Sequence, residues 1–163
     1  MSAFKLLAVP LTVLAIAACN PFHKSPAVEM SATDTTLNSR WHGNLASPAT
    51  LAGAVQMNGS ASMAPDSDKS RTVTTVDLAN ATPGGLHPWA MHRGQCGATT
   101  DKGVFGSKAA YSPLKVDSDG RASGTATIPI ATPRTGDYFI VVYASAVNSE
   151  AVVACGNLAS PTL

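Results

Sequence analysis

The hydrophobic pattern divides the chain near residue 44. Across residues 20–43 apolar positions recur at no fixed period. From Leu45 onward, short runs of Val, Thr, Ala and Ile alternate with Gly, Pro, Asn and Asp clusters every eight to twelve residues. Runs broken at that spacing predict an all-β fold, a sandwich or a barrel. Candidate strands lie at 51–57, 60–65, 71–79, 88–92, 110–116, 121–129, 136–144 and 151–156. Tyr138-Phe139-Ile140-Val141-Val142-Tyr143 is apolar without interruption, as a strand covered on both faces requires. Asp117-Ser118-Asp119-Gly120 reads as a hairpin turn, with Gly where positive φ is needed. Residues 97–109 show no period and read as a long loop, and neither a helix nor an internal repeat is predicted.

The first residues have a targeting layout. Lys5 precedes an apolar run, Leu6–Ala17, which is too short and too interrupted by Pro10 to span a bilayer. It ends in small residues before Cys19, the lipobox pattern, so 1–18 reads as a lipoprotein signal peptide and Cys19 as the lipidation site. Several acyl chains on one Cys anchor stably, since each buried methylene adds about 0.8 kcal/mol. Asn20 follows the Cys, which favours the outer membrane over the inner. Residues 19–43 then read as a flexible tether and 44–163 as the folded domain.

Charge and cysteine usage narrow the partners. Removing 18 of 163 residues leaves 145, enough for one core. Lys5 leaves with the signal, so ten basic and ten acidic side chains remain and exert no net pull on nucleic acid. No basic cluster with interleaved aromatics occurs, and nucleic-acid binding is not expected. With Cys19 committed to lipid, Cys96 and Cys155 are an even pair in an oxidising compartment, and a disulfide is the economical prediction.

Two short blocks carry a family likeness. Gly85-Leu86-His87-Pro88-Trp89-Ala90-Met91-His92 with Cys96, and Ala154-Cys155-Gly156-Asn157-Leu158, resemble the cysteine-bearing segments of Cu/Zn superoxide dismutases. The first matches a Gly-Leu-His-Gly-Phe-His-Val-His strand followed by a Cys, and the second an Ala-Cys-Gly strand bridged to it. Val141-Val142-Tyr143 falls where the family has Val-Val-His. The likeness spans roughly residues 45–160. It implies a Greek-key β-barrel or sandwich of about eight antiparallel strands. It also implies a Cys96–Cys155 bridge.

The same likeness shows what is missing. Position by position, one copper histidine becomes Ala90, the last copper ligand becomes Tyr143, and the Arg near the second Cys becomes Val152. Only His92 remains of four copper histidines. No histidine follows residue 92, so the zinc histidines are absent. Redox-cycling copper needs several imidazoles in fixed geometry, and superoxide dismutation is not expected. His92, with Tyr143 beside it, is expected to bond within the old cavity, and His87 to bond backbone. Met57, Met63 and Met91 are isolated and read as gap-fillers, not as a Cu(I) box. No Gly-x-Ser-x-Gly or His-Glu-x-x-His motif supports hydrolysis, and the turn aspartates are explained by Asx bonding.

The sequence therefore predicts an envelope lipoprotein with a dismutase-like domain in a non-catalytic binding or structural role. Its partners would be the membrane, through the anchor, and an envelope protein or small ligand met by 97–109 and Ser145–Glu150. No cofactor is expected. The alternative is a copper or zinc protein, or a divergent dismutase, using His92 and His87.

Overall fold

The computed structural model describes residues 39–52, 56–98, 102–148 and 150–161. Among them regular structure is β, apart from single 3-10 turns at Ala49–Leu51 and Lys108–Ala110. The strands are β1 (Trp41–Ala46), β2 (Asn58–Pro65), β3 (Thr72–Ala79), β4 (Leu86–His87), β5 (Trp89–Arg93), β6 (Leu114–Lys115), β7 (Ala122–Ile128), β8 (Tyr138–Tyr143) and β9 (Val152–Leu158). Seven form one antiparallel sheet in the order β5-β8-β9-β1-β2-β3-β7, curled into a half-barrel, and β4 pairs with β6 separately.

Alternation explains the strands with one buried face. In β3, Thr72, Thr74, Val76 and Leu78 point inward. The two buried threonine hydroxyls donate to the carbonyls of Ile130 (2.8 Å) and Ser62 (2.9 Å), so their burial leaves no unmet donor. Strand β8 is buried on both faces, as its unbroken apolar run predicts. Ile140 and Val142 enter the main core, while Phe139 and Val141 form a small second cluster with Cys155. Trp41, Met63, Met91 and Ile128 fill the main core. Pro88 has no N–H to give a ladder, and there the chain changes partners. His87 pairs with Leu114 on one side, and Trp89 with Val142 on the other.

Several expectations are corrected. The tether does not run to residue 43, because Trp41–Gly43 belong to β1. Trp41 and Leu45 are buried at period two, but Gly43 between them hides the alternation from a reading of the sequence. Of the strand expected at 51–57, Leu51 ends a 3-10 turn instead, and Ala52, Gln56 and Met57 belong to no strand. The β1–β2 register runs from Trp41↔Met63 to Ala46↔Asn58, which leaves the intervening segment as the loop of that hairpin; residues 53–55 lie outside the described ones. Only Leu114–Lys115 of 110–116 is strand, since Lys108–Ala110 turns and the Ser112 carbonyl accepts the Trp89 indole N–H (2.8 Å). The 117–120 turn forms, with Gly120 at φ 73°, but β6 pairs with β4 and β7 with β3, so no regular hairpin flanks it. The signal peptide, Cys19 and the tether up to residue 38 lie outside the described residues.

Two features tie β9 into the sheet. Cys96 and Cys155 form a disulfide with Cα atoms 6.0 Å apart, and the Cys96 N–H donates to Asn157 Oδ1 at 2.7 Å. Strand β9 also meets β1 at backbone distance: a Cβ on Gly43 would run into the Asn157 carbonyl, and one on Gly156 into the Asn44 carbonyl.

Two outcomes follow from this architecture. The bridge spans a separation of 59 residues, so Cys96→Ser should cost about 4 kcal/mol on the chain-entropy model. Thermal melting should show a drop of more than about 10 °C, matched by reduction of the wild type. Secondly, Tyr111 is buried and its hydroxyl donates to the Phe105 carbonyl at 2.6 Å. Burial pushes its pKa up to about 12 from an ordinary value of 10. The folded state thus keeps a proton that the unfolded chain loses, so stability should hold below about pH 10 and fall as pH rises toward 12. Denaturant melts across that range should show the slope, and Tyr111→Phe should flatten it.

Candidate functional site

The cleft is built around Tyr143, the last residue of β8. Its backbone N–H donates to the Pro88 carbonyl (2.8 Å). Its carbonyl lies 3.0 Å from His87 Nδ1; a carbonyl can only accept, so Nδ1 carries the proton. The 87–88 segment therefore holds Tyr143 at both ends. A β-bulge acts on the opposite side. The β8–β9 register shifts between Val142 and Tyr143, so Val153 is the extra residue. A bulge re-aims the side chain beside it. The carbonyl of Val153 is satisfied from outside the ladder by the Ser47 hydroxyl (2.8 Å), whose oxygen also accepts the Met57 N–H (2.9 Å).

So aimed, the Tyr143 hydroxyl meets His92 Nε2 at 3.1 Å. His92 is 6% exposed and its ring stacks obliquely on Phe139 at 5.4 Å between centroids. Trp89 and Met91, the alternate residues of β5, face the core. The cleft holds about 130 Å³ and is lined by Pro88, Ala90, His92, Val104, Lys108 and Tyr143. Its outer wall is a loop laddered onto β5: Val104 bridges His92, the Phe105 N–H donates to the Met91 carbonyl (2.7 Å), and the Arg93 N–H to the Gly103 carbonyl (3.1 Å). Arg93 lies over the Phe105 ring at 5.4 Å.

No protein-family model and no curated protein matches the chain.

The structure brings Ala90, His92 and Tyr143 into one cleft, and puts His87 on the backbone of the same tyrosine. Val152 sits half-buried beside the disulfide cluster as the cross-strand partner of Tyr143, and does not itself line the cleft. The donors do not fit the copper or zinc that the resemblance implies. Among the described residues no three His, Cys, Asp or Glu side chains converge. His92 Nε2 is already engaged by Tyr143, and a metal would have to break that contact. Met57, Met63 and Met91 are all core residues. His87 Nε2 is buried without a hydrogen-bond partner; with Nδ1 protonated it presents a lone pair.

Three lining residues, Pro88, Val104 and Lys108, were not singled out in the sequence, although Val104 and Lys108 belong to the 97–109 loop expected to meet a ligand; Ser47 was not singled out either. The last two lining residues come from an aperiodic loop, and Ser47 acts through a bulge that no period announces. Ser47→Ala would leave a buried carbonyl and amide unmet, costing about 1–3 kcal/mol. Denaturant melts should show that loss, and Tyr143 ring resonances should shift more than those of Tyr111.

Proposed function

We propose that this chain is a lipid-anchored protein of a bacterial envelope, held through Cys19 at the periplasmic face of the outer membrane. Its domain belongs to the superoxide-dismutase-like Greek-key class and acts as a non-catalytic binding scaffold. The spatial order β9-β1-β2-β3, in which the last strand returns beside the first, supports a Greek-key reading. The Cys96–Cys155 bridge supports the likeness. One observation carries the functional part: where the resemblance puts copper, the Tyr143 hydroxyl is bonded to His92, the one copper histidine that remains. The cleft thus offers a polar pocket for a small ligand, and the loops at 97–109 and Ser145–Glu150 offer a surface for an envelope protein. In the second loop Val147 is 98% exposed.

The alternative is a copper or zinc protein using His92 and His87. It draws on the free lone pair of His87 Nε2, since a ligating imidazole donates its other N–H to a carbonyl in the same way.

Metal titration separates the two. The full chain, solubilised in mild detergent without chelator or affinity tag, should bind Cu(II), Cu(I) and Zn(II) no better than a surface histidine does, and His92→Ala should change nothing. Stoichiometric binding abolished by His92→Ala would overturn the scaffold reading. Separately, Cys19→Ser should release the protein from the membrane fraction.

A further inference from the structure

We propose that the His92–Tyr143 cleft binds a free, small monoanion of the acetate, formate or nitrate class, with Lys108 as its counter-charge. This rests on the metal-free reading of the cleft and names the ligand class for it. Size is the first argument. About 130 Å³ is the room of roughly four liquid waters, which suits a ligand of three to five heavy atoms.

Polarity is the second. The polar lining is Lys108, His92 and Tyr143, and no carboxylate lines the cleft. Lys108 brings an ammonium, with three donors and a full charge. The other walls, Pro88, Ala90 and Val104, are apolar. Low-dielectric walls focus the field of a cation and favour an anion over water at its side. Arg93, next to His92 on β5, turns to the other face, over the Phe105 ring, and leaves Lys108 as the charged residue of the lining. The described loop from 102 to 110 holds two lysines and no acid. Just ahead of β8, Asp137 meets Gly94 through its backbone carbonyl (2.9 Å) at the Arg93 end of the pairing, and it does not line the cleft.

Rigidity is the third. The Tyr143 backbone is held at both its N–H and its carbonyl, and the loop carrying Val104 is laddered onto β5. Tyr111 fixes that loop further through the Phe105 carbonyl. A site already ordered before its ligand arrives avoids most of the ordering cost of binding. A partly exposed ion pair in salt still gives modest affinity, so half-saturation should fall in the millimolar range.

The test uses the full chain in nonionic detergent, treated with chelator and checked for copper and zinc, at ionic strength held constant with bulky gluconate. Sodium acetate is titrated against its uncharged isostere, acetamide. Ring resonances of His92 and Tyr143 are read by NMR, with His42, exposed on β1, as internal control. The expected result is a saturable His92 shift with acetate and none with acetamide. Lys108→Met should weaken it at least roughly tenfold. Unsaturable shifts shared by His42, or an unchanged affinity in Lys108→Met, would overturn the proposal. The metal-free reading fails separately: a response that appears only after copper or zinc is restored would mean that metal holds the anion. No response with or without metal sinks the anion proposal alone.

Discussion

Two parts of the half-barrel meet where β9 runs against β1, and the sheet depends on how closely those two backbones approach. On one side lie β5, β8 and β9, and on the other β1, β2, β3 and β7. Ala46 pairs with Cys155, and His42 with Ala159 further along the same seam. Between these points Gly43 and Gly156 stand where any Cβ would meet a carbonyl of the opposite strand. The need is for space, since neither glycine has a positive φ. A methyl group at either position would have to push the strands apart or bend one of them, and overpacking of that kind costs about 1–3 kcal/mol. Other long-range ties gather at the same seam. Ser47 reaches across to Val153, and the disulfide grips β9 from the loop after β5.

The cleft inherits its geometry from that seam. Tyr143 is aimed by a bulge in β9, the bulge is tolerated because Ser47 satisfies its carbonyl, and Ser47 follows directly on β1. Placement of the tyrosine hydroxyl therefore depends on β1 and β9 staying together. From the other direction, Pro88 makes the chain switch sheets, which leaves His87 on one side to hold the Tyr143 carbonyl and His92 on the other to meet its hydroxyl. One short segment thus fixes both ends of the same residue.

What could be read from the sequence follows the same physics. Strands β2, β3, β7, β8 and β9 were legible to within a few residues, because each buries a face at period two or is apolar throughout. Strand β1 was not, because the glycine that lets it approach β9 also erases an apolar position from its alternating face. Leu51 was read as the start of a strand but closes a 3-10 turn, which a local apolar run does not announce. At the site, Ala90 and His92 could be placed on one face by strand alternation, and Tyr143 beside them by the family resemblance. Lys108 and Ser47 could not: one sits on a loop ordered by backbone ladders, and the other acts through a bulge. Both are tertiary effects with no local signature.

The residues that carry the family resemblance divide by what they do in this fold. Cys96 and Cys155 close the loop onto β9, Gly156 makes room for β1, and His87 holds the end of β8. Each has a structural task that would persist with or without a metal. Positions whose only task in the family is chemistry are filled by Ala90, Tyr143 and Val152, none of them an imidazole or a guanidinium. His92 falls between these groups. Its ring is buried against Phe139 and bonded to Tyr143, so it too is part of the packing. A binding role asks for a rigid frame and a shaped cleft, and these residues supply both. The tyrosine that closes the cleft from β8 also supplies its hydroxyl, so one side chain both shapes the pocket and gives it polarity.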